Sequence, residues 1–395
     1  MDIITKLYRR FVIGNINNFN VEPDVDKWMA FIDGLPKPKD YIDASYNKYK
    51  CRNFYFPKYK ILLLNIASIP GALKAVIGAF GEKNNLPKVI KGKVLVEKKN
   101  DVSICDIIPN EIYEKNPIIE TVTDSRITGE IKDAAYSKEA KDIFLNVVKR
   151  HPFSFYYICW IGRELKKHSQ YITKHRMETT VVYIEERNIA SPVLKALYEE
   201  NGRQYVSFMH GEYLLQLIQG YMWFSKYYIW DEMYRNMFSR KLKCNIDKYV
   251  IYTPAKFKKC RFEGISQEYY CTYYFSSQSN SSIRMIGEIF HKLEKKGLKC
   301  KVRPHPRDSK WNVINEVFPP HMIELPKEVP IEESLKSTRY VVGLASTVMS
   351  EAYYAGKEII IDDVTSPDKF ENLKKRFCII LKRRHYLLSK LLKQI

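Results

Sequence analysis

Four polar clusters in this chain, Glu185–Asn188, His210–Glu212, Arg303–Arg307 and Ala345–Thr347, carry residue types able to do chemistry at spacings that suggest it. The segment Arg303-Pro-His-Pro-Arg307 sets two fixed guanidinium charges around an imidazole, and Pro304 and Pro306 restrict the backbone on both sides of His305. A stiff cationic loop of this kind suits a diphosphate or a nucleotide phosphate. Arg303 and Arg307 would bind it bidentately, and His305 would donate a proton or a hydrogen bond to the departing phosphate. The competing reading is a solvated turn. Ser346 and Thr347 open a helix, so their hydroxyls and the free N–H groups of its first turn form an anion site that an ordinary N-cap would resemble. Glu351, one turn further on, is placed to accept hydrogen bonds from ribose hydroxyls. Ser276 and Ser277 are placed for the same nucleotide, or simply form a Ser-rich turn. His210, followed by Gly211, offers an imidazole as general base for a sugar hydroxyl, against the alternative of a structural histidine. Glu185, Glu186, Glu212 and Asp231 compete for that role, with a solvated Glu185-Glu186 turn as the plain alternative.

These residues gain weight from the elements that hold them. From about residue 170 onward, short β-branched runs alternate with helical stretches, the pattern of βα units around a parallel sheet. A first block has strands Thr179–Ile184 and Gln204–Phe208 around a helix from Ser191 to Glu200. A second has strands Tyr270–Phe275, Leu298–Val302, Tyr340–Leu344 and Glu358–Ile361, with helices Ser281–Lys296, Ile331–Lys336 and Thr347–Ala355. In open α/β sheets ligands bind beyond the carboxyl ends of the strands, and all four clusters sit there. The basic segment Arg240–Gln267 reads as irregular, and a domain boundary is expected near 255–268. This gives an N-terminal domain (1–255), a C-terminal domain (256–370) and a basic tail or helix (371–395). Tyr59–Leu64 followed by Ser68-Ile-Pro-Gly71 looks like an opening strand and turn, and Pro87–Lys138 gives no clean period. The tail could lie on an anionic membrane or pack back on the protein.

Composition excludes several classes. At 395 residues the chain is long enough for two domains, and 45% hydrophobic with 28% charged residues is ordinary for a folded protein. No run reaches the roughly 18 uncharged apolar residues of a membrane span; Ile61–Ile69 and Tyr340–Ala345 are strand-sized. Met1–Gly14 lacks a signal-peptide pattern, which predicts a cytoplasmic protein, peripheral at most to the inner face of the cytoplasmic membrane. The eight cysteines, Cys51, Cys105, Cys159, Cys244, Cys260, Cys271, Cys300 and Cys378, contain no C-x-x-C pair, so neither a zinc knuckle nor a disulfide framework is expected. A net charge of +20 calls for an anionic partner. Dinucleotide, P-loop, zincin and serine-hydrolase motifs are missing, and Asp362-Asp363 reads as a cap rather than a metal site.

The strand ending in His210-Gly211, the Arg-Pro-His-Pro segment and the downstream Ser-Thr-x3-Glu-x4-Gly resemble bacterial GT-B glycosyltransferases of surface-polysaccharide assembly, particularly sialyltransferases and polysialyltransferases, over about residues 178–362. The resemblance implies an α/β GT-B fold of two Rossmann-like domains with parallel sheets facing an interdomain cleft, the N-terminal one (1–255) on the acceptor side and the C-terminal one (256–370) binding the nucleotide sugar. It implies a CMP-sialic acid donor, a capsular, O-antigen or lipooligosaccharide acceptor, and no metal or other cofactor. His305 would contact or protonate the CMP phosphate, and Ser346 and Thr347 would bind it. Where the sialyltransferase acidic motif usually ends in Gly, this chain has Glu185-Glu186-Arg187. CDP-glycerol polyol-phosphate transferases are also similar, sharing an His-Gly and an His-Pro motif in the same order; there His210 is the base. The rival from another class is a nucleic-acid-binding protein using the positive charge and 29 tyrosines, which no RNP-like, KH or helix-turn-helix signature supports. Nucleic acid is therefore not the expected partner.

Overall fold

The computed structural model describes residues 24–81, 85–98, 108–115, 118–123, 135–183, 185–254, 267–344 and 346–394. The leader reading of Met1–Gly14, Cys105, Cys260, Ile184, Ala345 and most of the expected boundary segment lie outside them. The chain divides into two compact units. Unit 1 holds the described residues up to His210 together with Gln216–Tyr252, and unit 2 holds Gly211–Leu215 and the residues from Thr253 onward.

Unit 1 opens with three helices, α1 (Val25–Asp33), α2 (Tyr41–Asn53) and α3 (Lys58–Ala79). Then follow β1 (Lys93–Lys98), α4 (Asn110–Lys115), β2 (Ile118–Thr123), α5 (Lys138–Arg150), α6 (Phe155–His175), β3 (Thr179–Val182), α7 (Ser191–Glu199), β4 (Gln204–Phe208), β5 (Trp223–Ile229), α8 (Glu232–Asn236) and β6 (Asn245–Ile251). The six strands are all parallel, in the order β2-β1-β3-β4-β5-β6. Val94, Val96, Val181, Val206 and Phe208 form a core on one face of this sheet.

Several sequence expectations are overturned here. Tyr59–Leu64 is not a strand but part of the 22-residue helix α3, which continues through Pro70. The small residues that looked like a turn serve close packing: a Cβ at Gly71 would stand 2.8 Å from Cys159 Sγ, and one at Gly162 would stand 2.9 Å from Ala75 Cβ. Read as one helix, the segment is long and apolar enough to cross a membrane by length and composition, contrary to the expectation from its interrupted runs. Further on, part of the segment taken as irregular, Asn245–Ile251, is the edge strand β6, and two strands lie in the stretch without a clean period.

Unit 2 contains β7 (Tyr269–Tyr274), α9 (Asn280–Lys295), β8 (Cys300–Arg303), α10 (Trp311–Val317), α11 (Ile331–Ser337), β9 (Thr338–Gly343), α12 (Thr347–Tyr354), β10 (Glu358–Ile361), α13 (Pro367–Lys375), β11 (Tyr386–Leu387) and α14 (Leu388–Gln394). Its parallel sheet has the order β11-β10-β9-β7-β8. Alternate residues point to opposite faces of a strand, so Tyr273, Val342 and Ile360 enter one core while Tyr274, Val341 and Ile361 enter the other. Both faces are covered, which is why these strands read as continuous apolar runs. The residues set apart as a basic tail complete this unit: β11 pairs with β10, and Leu388 is buried in the first of the two cores. Two Rossmann-like parallel-sheet units in one chain are the make-up of a GT-B fold.

Candidate functional site

The strand order of unit 2 reverses between β7 and β9, since the chain runs from β7 outward to β8 and then returns to the other side of β7. Ligand sites of open α/β sheets form at such reversals. Ser276 and Ser277 follow β7, and Ser346 and Thr347 follow β9, so both hydroxyl pairs flank this point. The crossing is tight: a Cβ at Gly343 would lie 3.0 Å from Met349 Sδ and 3.3 Å from the Tyr274 carbonyl.

The hydroxyls there divide into those already used and those on the surface. Ser346 is the N-cap of α12, its Oγ accepting from the Val348 N–H at 3.2 Å. Thr347 is exposed, and Glu351 stands half-buried one turn along the same helix face. Half-buried Ser276 donates its N–H to Gln278 Oε1 at 2.6 Å, while exposed Ser277 offers its carbonyl to Lys369 Nζ at 3.3 Å.

In the loop after β8, His305 is half-buried, and its N–H donates to Ser309 Oγ at 2.6 Å. Its Nδ1 accepts from the N–H groups of Arg307 at 3.3 Å and Asp308 at 3.2 Å. Asp308 Oδ2 also stands 3.2 Å from the same Nδ1, so that nitrogen is engaged by its own loop and Nε2 is the ring atom left to meet a ligand. The two arginines separate. Arg307 is exposed, but Arg303 is buried, with Nη1 on Glu324 Oε1 at 2.5 Å and Nη2 on the Val329 carbonyl at 2.9 Å. The expected pair of phosphate-binding guanidiniums is thereby reduced to one, because Arg303 neutralises a buried carboxylate.

In unit 1 the acidic pair forms a single 3₁₀ turn after β3, Glu185–Arg187, and it is not solvated. Glu185 is fully buried; it accepts from Asn188 Nδ2, and its Oε1 lies 4.0 Å from Lys167 Nζ. Lys167, itself fully buried, also faces Glu97 and Glu164, each at 3.4 Å. A carboxylate held in such a cluster is enclosed away from any acceptor hydroxyl. Glu186, also buried, accepts from the Tyr227 hydroxyl at 3.2 Å and lies 3.8 Å from His210 Nδ1. His210 follows β4, keeps 23% of its side chain exposed and tilts against the Tyr183 ring at 5.1 Å. A carboxylate on the Nδ1 side favours the tautomer with that nitrogen protonated and leaves Nε2 as the basic atom.

The other acidic candidates have structural partners. Glu212 belongs to unit 2, where it accepts from Ser350 Oγ and, at 3.5 Å, from Cys378 Sγ. Burial raises its pKa against those hydrogen bonds. Asp231 caps α8 through the Met233 N–H at 2.9 Å. Asp362 caps its own turn through Val364 and Thr365.

Sequence reasoning missed Lys48. It is fully buried on α2, and its Nζ donates to the carbonyls of Glu186, Gly220 and Ile218 at 2.7, 3.1 and 3.3 Å. Burial lowers its pKa from 10.5 to about 8. Nothing in a 13-residue polar helix marks one lysine as the one that ties down the Glu186 turn.

No protein-family model matches this chain, and no curated protein is significantly similar. Similar solved structures include a UDP-GlcNAc 2-epimerase of Methanocaldococcus jannaschii in complex with UDP-GlcNAc and UDP, at 12% identity and a TM-score of 0.40, covering 74% of this chain and 93% of that one. The glycotransferase of kitacinnamycin is 9% identical with a TM-score of 0.39, over 76% of this chain and 87% of that one. The wall teichoic acid polymerase TagF is 9% identical with a TM-score of 0.38, covering 88% of each chain. At these identities and scores the likeness reaches no further than general architecture.

Proposed function

We propose that this chain is a nucleotide-dependent transferase that moves a sugar from a nucleotide donor to an acceptor hydroxyl, working in the cytoplasm on a glycan or lipid-linked glycan of the cell surface. Unit 2 supplies the donor site. His305, donating from Nε2, and exposed Arg307 meet the nucleotide phosphate, with Thr347 and the first turn of α12 beside the sheet reversal. Unit 1 supplies the base: His210 Nε2 takes the acceptor proton, and the buried Glu186 carboxylate stabilises the imidazolium that results. The acceptor oxygen then displaces the nucleotide phosphate at the anomeric carbon, and His305 and Arg307 offset the charge that develops on the leaving group. The observation that carries this reading is the pairing of half-exposed His210 with buried Glu186 directly after a sheet strand.

CMP-sialic acid is the donor proposed first. The same pairing favours a second reading, transfer of a polyol phosphate from a CDP-linked donor, because the base is then the histidine rather than the acidic pair, and Glu185 is enclosed. In that case the acceptor attacks phosphorus and CMP leaves. A thermal-shift series with CMP, CDP, UDP, CMP-sialic acid and CDP-glycerol separates the two, since a ligand that binds only the folded state raises Tm. A shift with CMP-sialic acid supports sialyl transfer, one with CDP-glycerol alone supports polyol-phosphate transfer, and no shift with any of them removes both. In His305→Ala the shift should vanish.

A further inference from the structure

Among the described residues, none covers one face of α3. From Ile61 to Leu73 the helix carries no charged residue, and none of its 22 residues is acidic. Its most apolar 18-residue window has a mean hydropathy of 1.8, yet only 17% of that window is buried. Leu62, Leu63, Ile66, Leu73, Ile77 and the following Phe80 are between 54% and 72% exposed. Their spacings of mostly three and four residues put them on one side of the helix. At 1.5 Å per residue the helix is about 33 Å long, so this is a continuous apolar strip rather than scattered exposed side chains.

The opposite side of α3 is fixed to unit 1. Asn65 Oδ1 accepts from the Tyr156 N–H at 3.1 Å, Gly71 abuts Cys159, and Gly78 abuts Lys166, so α3 runs parallel to α6 along most of its length. A helix held this way lies along a surface and is not free to thread through one. The charges indicate which surface. The ionisable residues of α3, other than Tyr59, are Lys58, Lys60 and Lys74. Lys74 also lies close enough to Lys166 to add to the effect of burial in lowering its pKa, and neither lysine has a carboxylate partner among the described residues. Lys141 Nζ stands 5.2 Å from the Phe80 ring. Two copies laid face to face on this strip would bring like charges together, whereas phosphate headgroups would neutralise them. Exposed Tyr55 and Tyr59 at one end and Phe80 at the other suit the headgroup boundary.

We propose that α3 is an in-plane docking helix that seats unit 1 on an anionic phospholipid surface, with the Leu62-to-Phe80 strip in the acyl boundary and Lys58, Lys60 and Lys74 at the headgroups. This holds whatever reaction the chain catalyses, and it places membrane contact on α3 rather than on the basic C-terminus. The test is co-sedimentation of the full chain with phosphatidylcholine vesicles with and without phosphatidylglycerol. The expected result is binding that is at least about tenfold tighter with phosphatidylglycerol and weakened by salt. Ile66→Asp combined with Ile77→Asp should lower it about tenfold or more, with the circular dichroism spectrum and Tm retained because both side chains are exposed. Lys74→Glu should weaken binding only where phosphatidylglycerol is present. Independently, the fluorescence of Leu63→Trp relative to wild type should shift to the blue on phosphatidylglycerol vesicles. Four results overturn the proposal: no binding by the wild type, undiminished binding in the double variant, loss of binding in Arg383→Ala with Arg384→Ala instead, or a dimer in light scattering that the double variant dissolves.

Discussion

In the proposed reaction His210 and Glu186 share one proton-transfer task unequally, which makes their substitutions distinguishable. His210→Ala removes the basic atom itself and should lower kcat by about 10²-fold or more. Glu186→Gln keeps an oxygen for the Tyr227 hydroxyl and removes only the charge that answers the imidazolium. Its kcat should fall by about tenfold, with KM for the donor unchanged in both variants. Equal activity of Glu186→Gln and wild type would reduce Glu186 to a packing residue. Lys48 yields a prediction about pH. Its folded-state pKa of about 8 lies below the 10.5 of a free lysine, so between those values the unfolded chain holds a proton that the folded chain has released. Stability from this group therefore rises with pH across that window, by at most about 1.4 kcal/mol per unit, and is flat below it. The difference in unfolding free energy between wild type and Lys48→Met, from urea titrations at pH 7.5 and 9.5, should grow at the higher pH. A constant difference would mean that the three carbonyls hold the ammonium against the effect of burial.

At the first turn of α12 the two adjacent hydroxyls have opposite assignments. Ser346 caps the helix, so Ser346→Ala should cost about 1 kcal/mol of stability and leave nucleotide affinity nearly unchanged. Thr347 is exposed beside the sheet reversal, and Thr347→Val should weaken nucleotide binding several-fold with Tm unchanged, as isothermal titration and calorimetric scans would show. The strands that carry these residues were legible because both faces of the unit 2 sheet are covered, which forces runs such as Val341-Val-Gly and Ile359-Ile-Ile361. β1 escaped notice because its apolar centre, Val94 to Val96, is only three residues long between charges. Helix α3 was misread because packing at Gly71 and Gly162 overrides the turn tendency of Pro70-Gly71. The strand-end rule picked out His210, His305 and Thr347, which follow β4, β8 and β9 in the fold. It could not show that Arg303 turns inward or that Glu185 is enclosed, since those outcomes depend on Glu324, Lys167 and Asn188, each brought in by the fold.

On the scale of the whole chain, the division into units does not follow the sequence order. Gly211–Leu215 folds with unit 2 although Gln216–Tyr252 belongs to unit 1, so unit 2 depends on five residues that precede most of its own sequence. Leu215 exchanges hydrogen bonds with Arg376, its N–H donating to the Arg376 carbonyl at 2.9 Å and its own carbonyl accepting from Arg376 Nε at 3.2 Å. Glu212 joins α12 to the residues after α13 through Ser350 and Cys378. Its raised pKa means that the folded state favours the neutral carboxyl, so the stability this group provides is present at acid pH and is lost as pH rises through the folded value. Glu212→Gln, fixed in the neutral form, should thus match the wild type at acid pH and keep its stability as pH rises and the wild type loses some. Glu212→Leu leaves the Ser350 hydroxyl without its acceptor and should cost about 1–3 kcal/mol. Hydrogen exchange locates that loss: peptides covering Thr347–Tyr354 and 376–382 should exchange faster in Glu212→Leu, while those covering β3 and α7 keep wild-type protection. Faster exchange in β3 and α7 to the same extent would mean that the two units unfold as one, and that the crossing segment couples them rather than serving unit 2 alone.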